Sequence, residues 1–143
     1  MNCPCRKKSE TRSYAECCQR YHLGAPAPTA EALMRSRYSA FVREDAAYLS
    51  ATWHPSTRPR QVDFNPGQVW LLLRVVAARE DGDRATVEFI ARSRIGGVSH
   101  VLHEISSFVR EGGRWFYVDG KLASRAIMSL AAASWPGNAG VLR

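Results

Sequence analysis

The chain has 143 residues, 45% of them hydrophobic, with 20 Lys+Arg against 13 Asp+Glu for a formal charge of +7. That is enough material for one hydrophobic core, so the fold need not depend on covalent staples. The opening "MNCPCRKKSE" lacks the apolar core of a secretory signal, and the longest apolar runs, "VWLLLRVVAA" and "AIMSLAAASW", are too short to span a bilayer. The expectation is a cytoplasmic protein with no membrane partner. Its charge permits an acidic partner without demanding one, because the basic residues are almost all arginine and are spread along the chain.

Residues 1–24 form the first segment, and all four cysteines lie in it: Cys3 and Cys5 flank one residue, Cys17 and Cys18 are adjacent. Neighbouring cysteines bridge only through a strained ring, and a reducing compartment disfavours disulfides. Metal binding fits better, since two close thiol pairs at the ends of a basic loop can converge on one tetrahedral ion. Arg6, Lys7, Lys8, Arg12 and Arg20 would lower the thiol pKa values and offset the negative charge of a four-thiolate centre. Zinc suits an all-cysteine structural site, with iron the second candidate. The spacing leaves three alternatives open: His22 as a ligand in place of Cys18, an unmetallated basic segment, and a thiol-redox centre.

The second segment, residues 25–122, begins with "APAP", a stiff linker because proline fixes φ and restricts its predecessor. Thr29 then caps a helix whose Leu33, Met34, Tyr38, Phe41 and Val42 form an apolar stripe. Asp45 caps a short second helix carrying Ala46, Tyr48 and Leu49, which Pro55 must end. "HPSTRPRQVDFNPGQ" reads as loop. From Val69 onward the pattern becomes strand: "VWLLLRVVAARE" meets "RATVEFIARSR" across Asp81-Gly82-Asp83, and "VSHVLHEISSFVRE" meets "RWFYVDG" across Glu111-Gly112-Gly113. Gly96-Gly97 joins the two hairpins. Helices followed by antiparallel strands predict an α+β domain in which a curved sheet cups its helices. The tail, 123–143, starts as a helix and breaks at Pro136-Gly137.

The sequence contains none of the G-x-S-x-G, P-loop, dinucleotide or H-E-x-x-H signatures, and no residue stands out as catalytic. His100 and His103 are an odd number apart on a strand and so point to opposite faces; His103 shares its face with Val101 and Ile105 and reads as a core histidine. Arg37 sits in the apolar stripe, either snorkelling at its edge or lining the cup, where it would hold an anion or pair with Asp119. Trp53 and His54 lie where a loop rims such a cup. Arg37, Trp53 and His54 are thus placed where they could line a cup.

"CPC", a basic loop, "CC", "RYH", "APTAEALMRSRYSAFV", "YLSATWHPSTRP" and "WFYVDG" together resemble the YchJ family of uncharacterised bacterial proteins, over Cys3 to about Gly120. That resemblance implies a SEC-C zinc motif joined to a nuclear-transport-factor-2-like, cystatin-like α+β cone. It implies Cys3, Cys5, Cys17 and Cys18 as the ligands of one structural Zn2+. The motif is named after the tail of the SecA translocation ATPase, where similar knuckles contact the chaperone SecB and ribosomes. Two departures stand out: the eleven-residue spacer "RKKSETRSYAE" has no glycine where the family has a shorter, Gly-Ser-containing turn, and the second cysteine motif of many relatives is absent. The function expected is a non-enzymatic zinc-binding module whose knuckle contacts a protein or ribosomal partner. The alternative is a small-molecule binder or enzyme using the cavity of the cone, for which the resemblance to that fold implies His54, Asp119, Tyr38 and Arg37, with Trp53 at the rim, as the possible pocket. Nucleic-acid binding has weaker support, and a homodimer through the sheet is a further expectation.

Overall fold

The computed structural model describes residues 1–6 and 10–123. The elements run α1 (Gln19–His22), α2 (Ala30–Arg43), α3 (Ala46–Ala51), β1 (Val69–Asp81), β2 (Arg84–Ile95), β3 (Val98–Glu111) and β4 (Arg114–Leu122). The four strands form one antiparallel meander in the order β1-β2-β3-β4. The α+β architecture, the two hairpins and the glycine turn between them match the sequence expectation. The tail helix expected after residue 123 lies outside the described residues.

Local chemistry accounts for the boundaries. Thr29 Oγ1 accepts from Ala32 N at 3.0 Å and Asp45 Oδ1 from Tyr48 N at 3.1 Å, so both expected helix caps form. Between the helices Glu44 takes a left-handed conformation at φ 53°, which turns the chain sharply enough for α3 to fold back beside α2. Gly82, at φ 61°, opens the two-residue turn between β1 and β2, a position that side chains occupy only with strain.

The helical face of the sheet is read directly from β2, where Ala85, Val87, Phe89, Ala91 and Ser93 are buried and their alternates are not. On β3 the buried set is Leu102, Glu104, Ser106 and Phe108. His103 therefore faces outward: it is half-buried and its Nε2 lies 2.7 Å from Glu88 Oε2. The expectation of a core histidine fails because both faces of β3 carry apolar residues, and alternation alone does not say which face is covered. His100 and His103 do point to opposite faces.

Helix α2 is the centre of the molecule, with Leu33, Met34, Tyr38 and Phe41 buried against the sheet side. Tyr38 and Phe41 meet Trp70 of β1 with ring centroids 5.8 and 6.2 Å apart. Val42, placed in the stripe by spacing, is instead 37% exposed. Ser36, Ser39 and Ala40 are also fully buried, because the N-terminal segment covers that side of the helix. Cys3, Cys5, Cys18 and Tyr21 belong to the same hydrophobic cluster as Leu33, Phe41 and Phe89. The N-terminal segment is thus a lid on α2 and shares its core.

Candidate metal centre

Two short pieces of chain carry the cysteines. Cys3 N donates to Arg12 O and Tyr14 N to Met1 O, with a bridge between Asn2 and Ser13, which folds the first fourteen residues back on themselves. Cys17 and Cys18 stand at the entry to α1. Cys3, Cys5 and Cys18 are buried, while Cys17 is half-exposed. The Sγ atoms lie 3.7 Å apart for Cys3–Cys5, 3.6 Å for Cys5–Cys17, 3.9 Å for Cys17–Cys18 and 3.4 Å for Cys5–Cys18, and all four fall within 4.8 Å of one another.

These separations identify the arrangement. A disulfide requires sulfurs about 2.05 Å apart. Four thiolates about 2.3 Å from one ion at tetrahedral angles stand about 3.8 Å apart. The measured distances scatter around the second value, so the residues fit one four-coordinate metal ion. His22, the alternative to Cys18, is turned away. Its Nδ1 is 2.6 Å from Tyr14 Oη and its Nε2 is 2.8 Å from Ser36 O. A carbonyl only accepts, so Nε2 carries the proton and Nδ1 receives the tyrosine hydroxyl. Both ring nitrogens are used to join the knuckle to α2.

The electrostatics point the same way. Hydrogen bonds from Cys18 and Cys5 hold the Cys3 thiol far below its ordinary range, while Cys18, bonded to Cys3 and buried, is pushed far above it. For Cys5 the Cys18 hydrogen bond favours ionisation, but the Cys3 hydrogen bond, burial and the charge on Cys3 prevail and raise it. Burial and crowding thus oppose the ionisation of Cys5 and Cys18 beside Cys3, and a divalent cation is what allows these thiols to ionise together. Around the sulfurs, Ser39 Oγ donates to Cys18 Sγ at 3.2 Å and lies 3.6 Å from Cys3 Sγ. Arg35 Nη1 donates to Cys5 O at 2.8 Å. Arg12 lies against Cys17, which raises the guanidinium pKa further. Arg20 Nε donates to Cys17 O. Of the other basic residues expected here, Lys7 and Lys8 lie outside the described residues. A polar cleft of about 360 Å³, lined by Cys5, Cys17, Glu10, Arg12, Glu31 and Arg35, opens on one edge of the cluster and provides an entry route for an ion.

The candidate pocket residues do not converge in the same way. Arg37 is 2% exposed: its Nη1 donates to Leu49 O at 2.9 Å and Thr52 Oγ1 at 2.7 Å, and its guanidinium lies 5.1 and 4.6 Å from the ring centres of Trp53 and Tyr117. Burial lowers its pKa to about 10, against the opposing influence of Tyr117, Tyr48 and Glu104. Tyr38 packs on Trp70, on another part of the core. His54 stands at the rim, with Nδ1 2.7 Å from Ser56 Oγ and Nε2 3.1 Å from Glu111 Oε1. Asp119 lines a separate groove at the end of the sheet with Arg79 and Arg84. The carboxylate that acts on Arg37 is not Asp119 but Glu104, which is fully buried and receives the Ser106 hydroxyl. Sequence reading missed Glu104. A signal existed in Gly120: a Cβ there would overlap the Glu104 carboxylate, so a glycine in the "WFYVDG" strand marks a large group lying across it.

The fold and site define a class: a SEC-C-type cysteine knuckle docked on a cone of the NTF2-like kind. A family model described as "YchJ, middle NTF2-like domain" matches residues 29–120, and the chain belongs to that family. A UPF0225 protein of Polaromonas sp. is 53% identical over 126 residues, spanning 82% of this chain and 91% of the relative. A UPF0225 protein of Bordetella pertussis is 51% identical over 125 residues, spanning 84% and 92%. The solution structure of a SEC-C motif containing protein from Rhodopseudomonas palustris superposes with a TM-score of 0.74 at 36% identity, covering 87% of this chain and all of that one. The crystal structure of a SEC-C motif containing protein from Psychrobacter arcticus gives 0.69 at 30% identity, covering 87% and 84%.

Proposed function

We propose that the protein is a zinc-stabilised, non-enzymatic binding module of the cytoplasm, with Cys3, Cys5, Cys17 and Cys18 holding one structural Zn2+. The observation that carries this reading is the set of four sulfurs at tetrahedral-edge separations, with a hydroxyl donor behind them and a cation beside them. All-thiolate coordination selects zinc over harder divalent ions. The ion's contribution is folding free energy, on the order of 10 kcal/mol for structural zinc, delivered to a segment that packs on α2. An all-thiolate site suits the reducing setting of a cytoplasm, and no helix among the described residues is long and apolar enough to cross a membrane.

Within the N-terminal segment Met1 is 91% exposed and Leu23 80% exposed, and Arg12 and Arg20 are exposed as well. Exposed apolar and basic side chains of this kind suit an acidic, partly apolar patch on a protein or ribosomal partner. The cone serves as scaffold: the buried charge of Arg37 is used by the backbone and rings around it. The test compares zinc-loaded protein with the Cys3→Ser/Cys5→Ser variant in co-sedimentation with purified ribosomes and in affinity capture. A partner held by the loaded protein and lost by the variant supports the reading. Equal recovery by both would remove the knuckle from the interaction.

A further inference from the structure

Strand register gathers arginines that are scattered in the sequence. On the outer face of the β1–β2 hairpin, successive cross-strand rows pair Val69 with Arg94, Leu72 with Arg92, Arg74 with Ile90, Ala77 with Glu88, Arg79 with Thr86 and Asp81 with Arg84. Five of these six rows carry an arginine. All five are exposed, and none of their side chains makes a hydrogen bond or an ion pair with a described residue. The one row without an arginine holds Glu88, which is taken up by His103 at 2.7 Å. Rows on one face repeat about every 6.8 Å along a strand, so the stripe extends roughly 34 Å at the open edge of the sheet. The end that carries Arg74, Arg92 and Arg94 has no carboxylate in its three rows. Its remaining partners there are Val69, Leu72 and Ile90, and among the described residues these three β1–β2 rows hold no aromatic side chain, because Trp70 turns inward onto Tyr38 and Phe41.

From this stripe we infer that the outer face of the β1–β2 hairpin binds the phosphodiester backbone of an RNA strand, independently of base sequence. The unpaired positive charges gathered at the Arg74–Arg92–Arg94 end match, through charge rather than fork geometry, a polymer that carries one phosphate per unit. The lack of stacking rings at the arginine-rich end leaves the backbone as the only recognised feature there. This surface is distinct from the knuckle and does not depend on zinc.

The test is fluorescence anisotropy with a labelled single-stranded RNA of about twelve nucleotides, using zinc-loaded full-length protein between 50 and 200 mM salt. Three phosphate contacts on a single strand give a log–log salt slope of about −2, hence a loss of about 16-fold in affinity over that range. The Arg74→Gln/Arg92→Gln/Arg94→Gln variant is expected to shed that slope. An Arg43→Gln/Arg60→Gln/Arg114→Gln variant, of equal net charge and exposed elsewhere, is expected to keep it, as is the triple lysine version of the stripe. A mixed-sequence RNA and oligouridine should bind alike. The inference is overturned by absent or salt-insensitive binding, by equal losses in the two glutamine triples, by loss in the lysine version, or by poly-glutamate competing as well as RNA, which would point to an acidic protein instead.

Discussion

Ser39 offers the sharpest test of how the knuckle is tied to the cone. Its hydroxyl is fully buried on α2 and donates to Cys18 Sγ at 3.2 Å. Ser39→Ala removes one oxygen, leaves a near-isosteric methyl and alters none of the four cysteines. A hydrogen bond to a charged group contributes about 1.5–3 kcal/mol, and loss of an outer-shell donor typically weakens a metal site by about 10–100-fold. The two figures agree, since tenfold corresponds to about 1.4 kcal/mol. Zinc affinity, measured by competition with a chromophoric chelator, should fall within that range. Thermal unfolding of the metal-free proteins should differ by less than about 1 kcal/mol, because the neutral Cys18 thiol is a weak acceptor. If the variant keeps its zinc affinity within twofold, or loses the same stability with and without metal, Ser39 is a packing residue and the coupling argued here is wrong.

Three further outcomes follow from the structure. His22→Ala should leave one zinc per chain while lowering the melting temperature, since His22 bonds Tyr14 and Ser36 and not the ion; a loss of stoichiometry by elemental analysis would return it to the ligand set. Gly120→Ala should destabilise by about 1–3 kcal/mol or more in denaturant unfolding, as expected for overpacking, because its Cβ would overlap Glu104 Oε2 and stand 2.9 Å from Cγ; an unchanged midpoint would mean that Glu104 does not occupy that space. Above pH 10 stability should fall. Burial raises the Tyr48 pKa to about 12, and Tyr38 and Tyr117 are raised by the same cause, so their contribution is complete below pH 10 and lost as pH rises through 12. Arg37, lowered to about 10, opposes this: its penalty, present at neutral pH, is relieved above that value. Three tyrosines outweigh one arginine, and a rising stability curve by urea titration between pH 10 and 12 would refute the balance.

Turn and cap chemistry made most of the fold legible in sequence. Thr29, Asp45, the Asp-Gly-Asp turn and the two Gly-Gly turns act locally, and each is where it was expected. What depended on tertiary context was not legible. The inward face of β3 was ambiguous because Val101 and Ile105 compete with Leu102 and Phe108 in apolar character. The buried Glu104 breaks the apolar pattern and is accommodated only by Gly120 across the strand pair. Val42 fell in the helical stripe yet sits on the exposed edge of α2, since the knuckle covers the side that carries Ser36 and Ser39. The arginine stripe follows from register alone: residues 74, 79, 84, 92 and 94 share a face only once the β1 irregularities at Trp70/Leu72 and Val75/Ala77 are in place. The cysteines were legible as a metal centre, but the choice between Cys18 and His22 needed the ring's two hydrogen bonds.

The central claim is that four cysteines hold one zinc ion against α2. Elemental analysis of freshly purified protein, combined with thiol titration before and after chelation, addresses it directly. The account predicts one zinc per chain, with the four thiols unreactive until the chelator is added and all four reactive afterwards. Metal-free protein with four freely reactive thiols, or a zinc content unchanged in Cys3→Ser/Cys5→Ser, would contradict it.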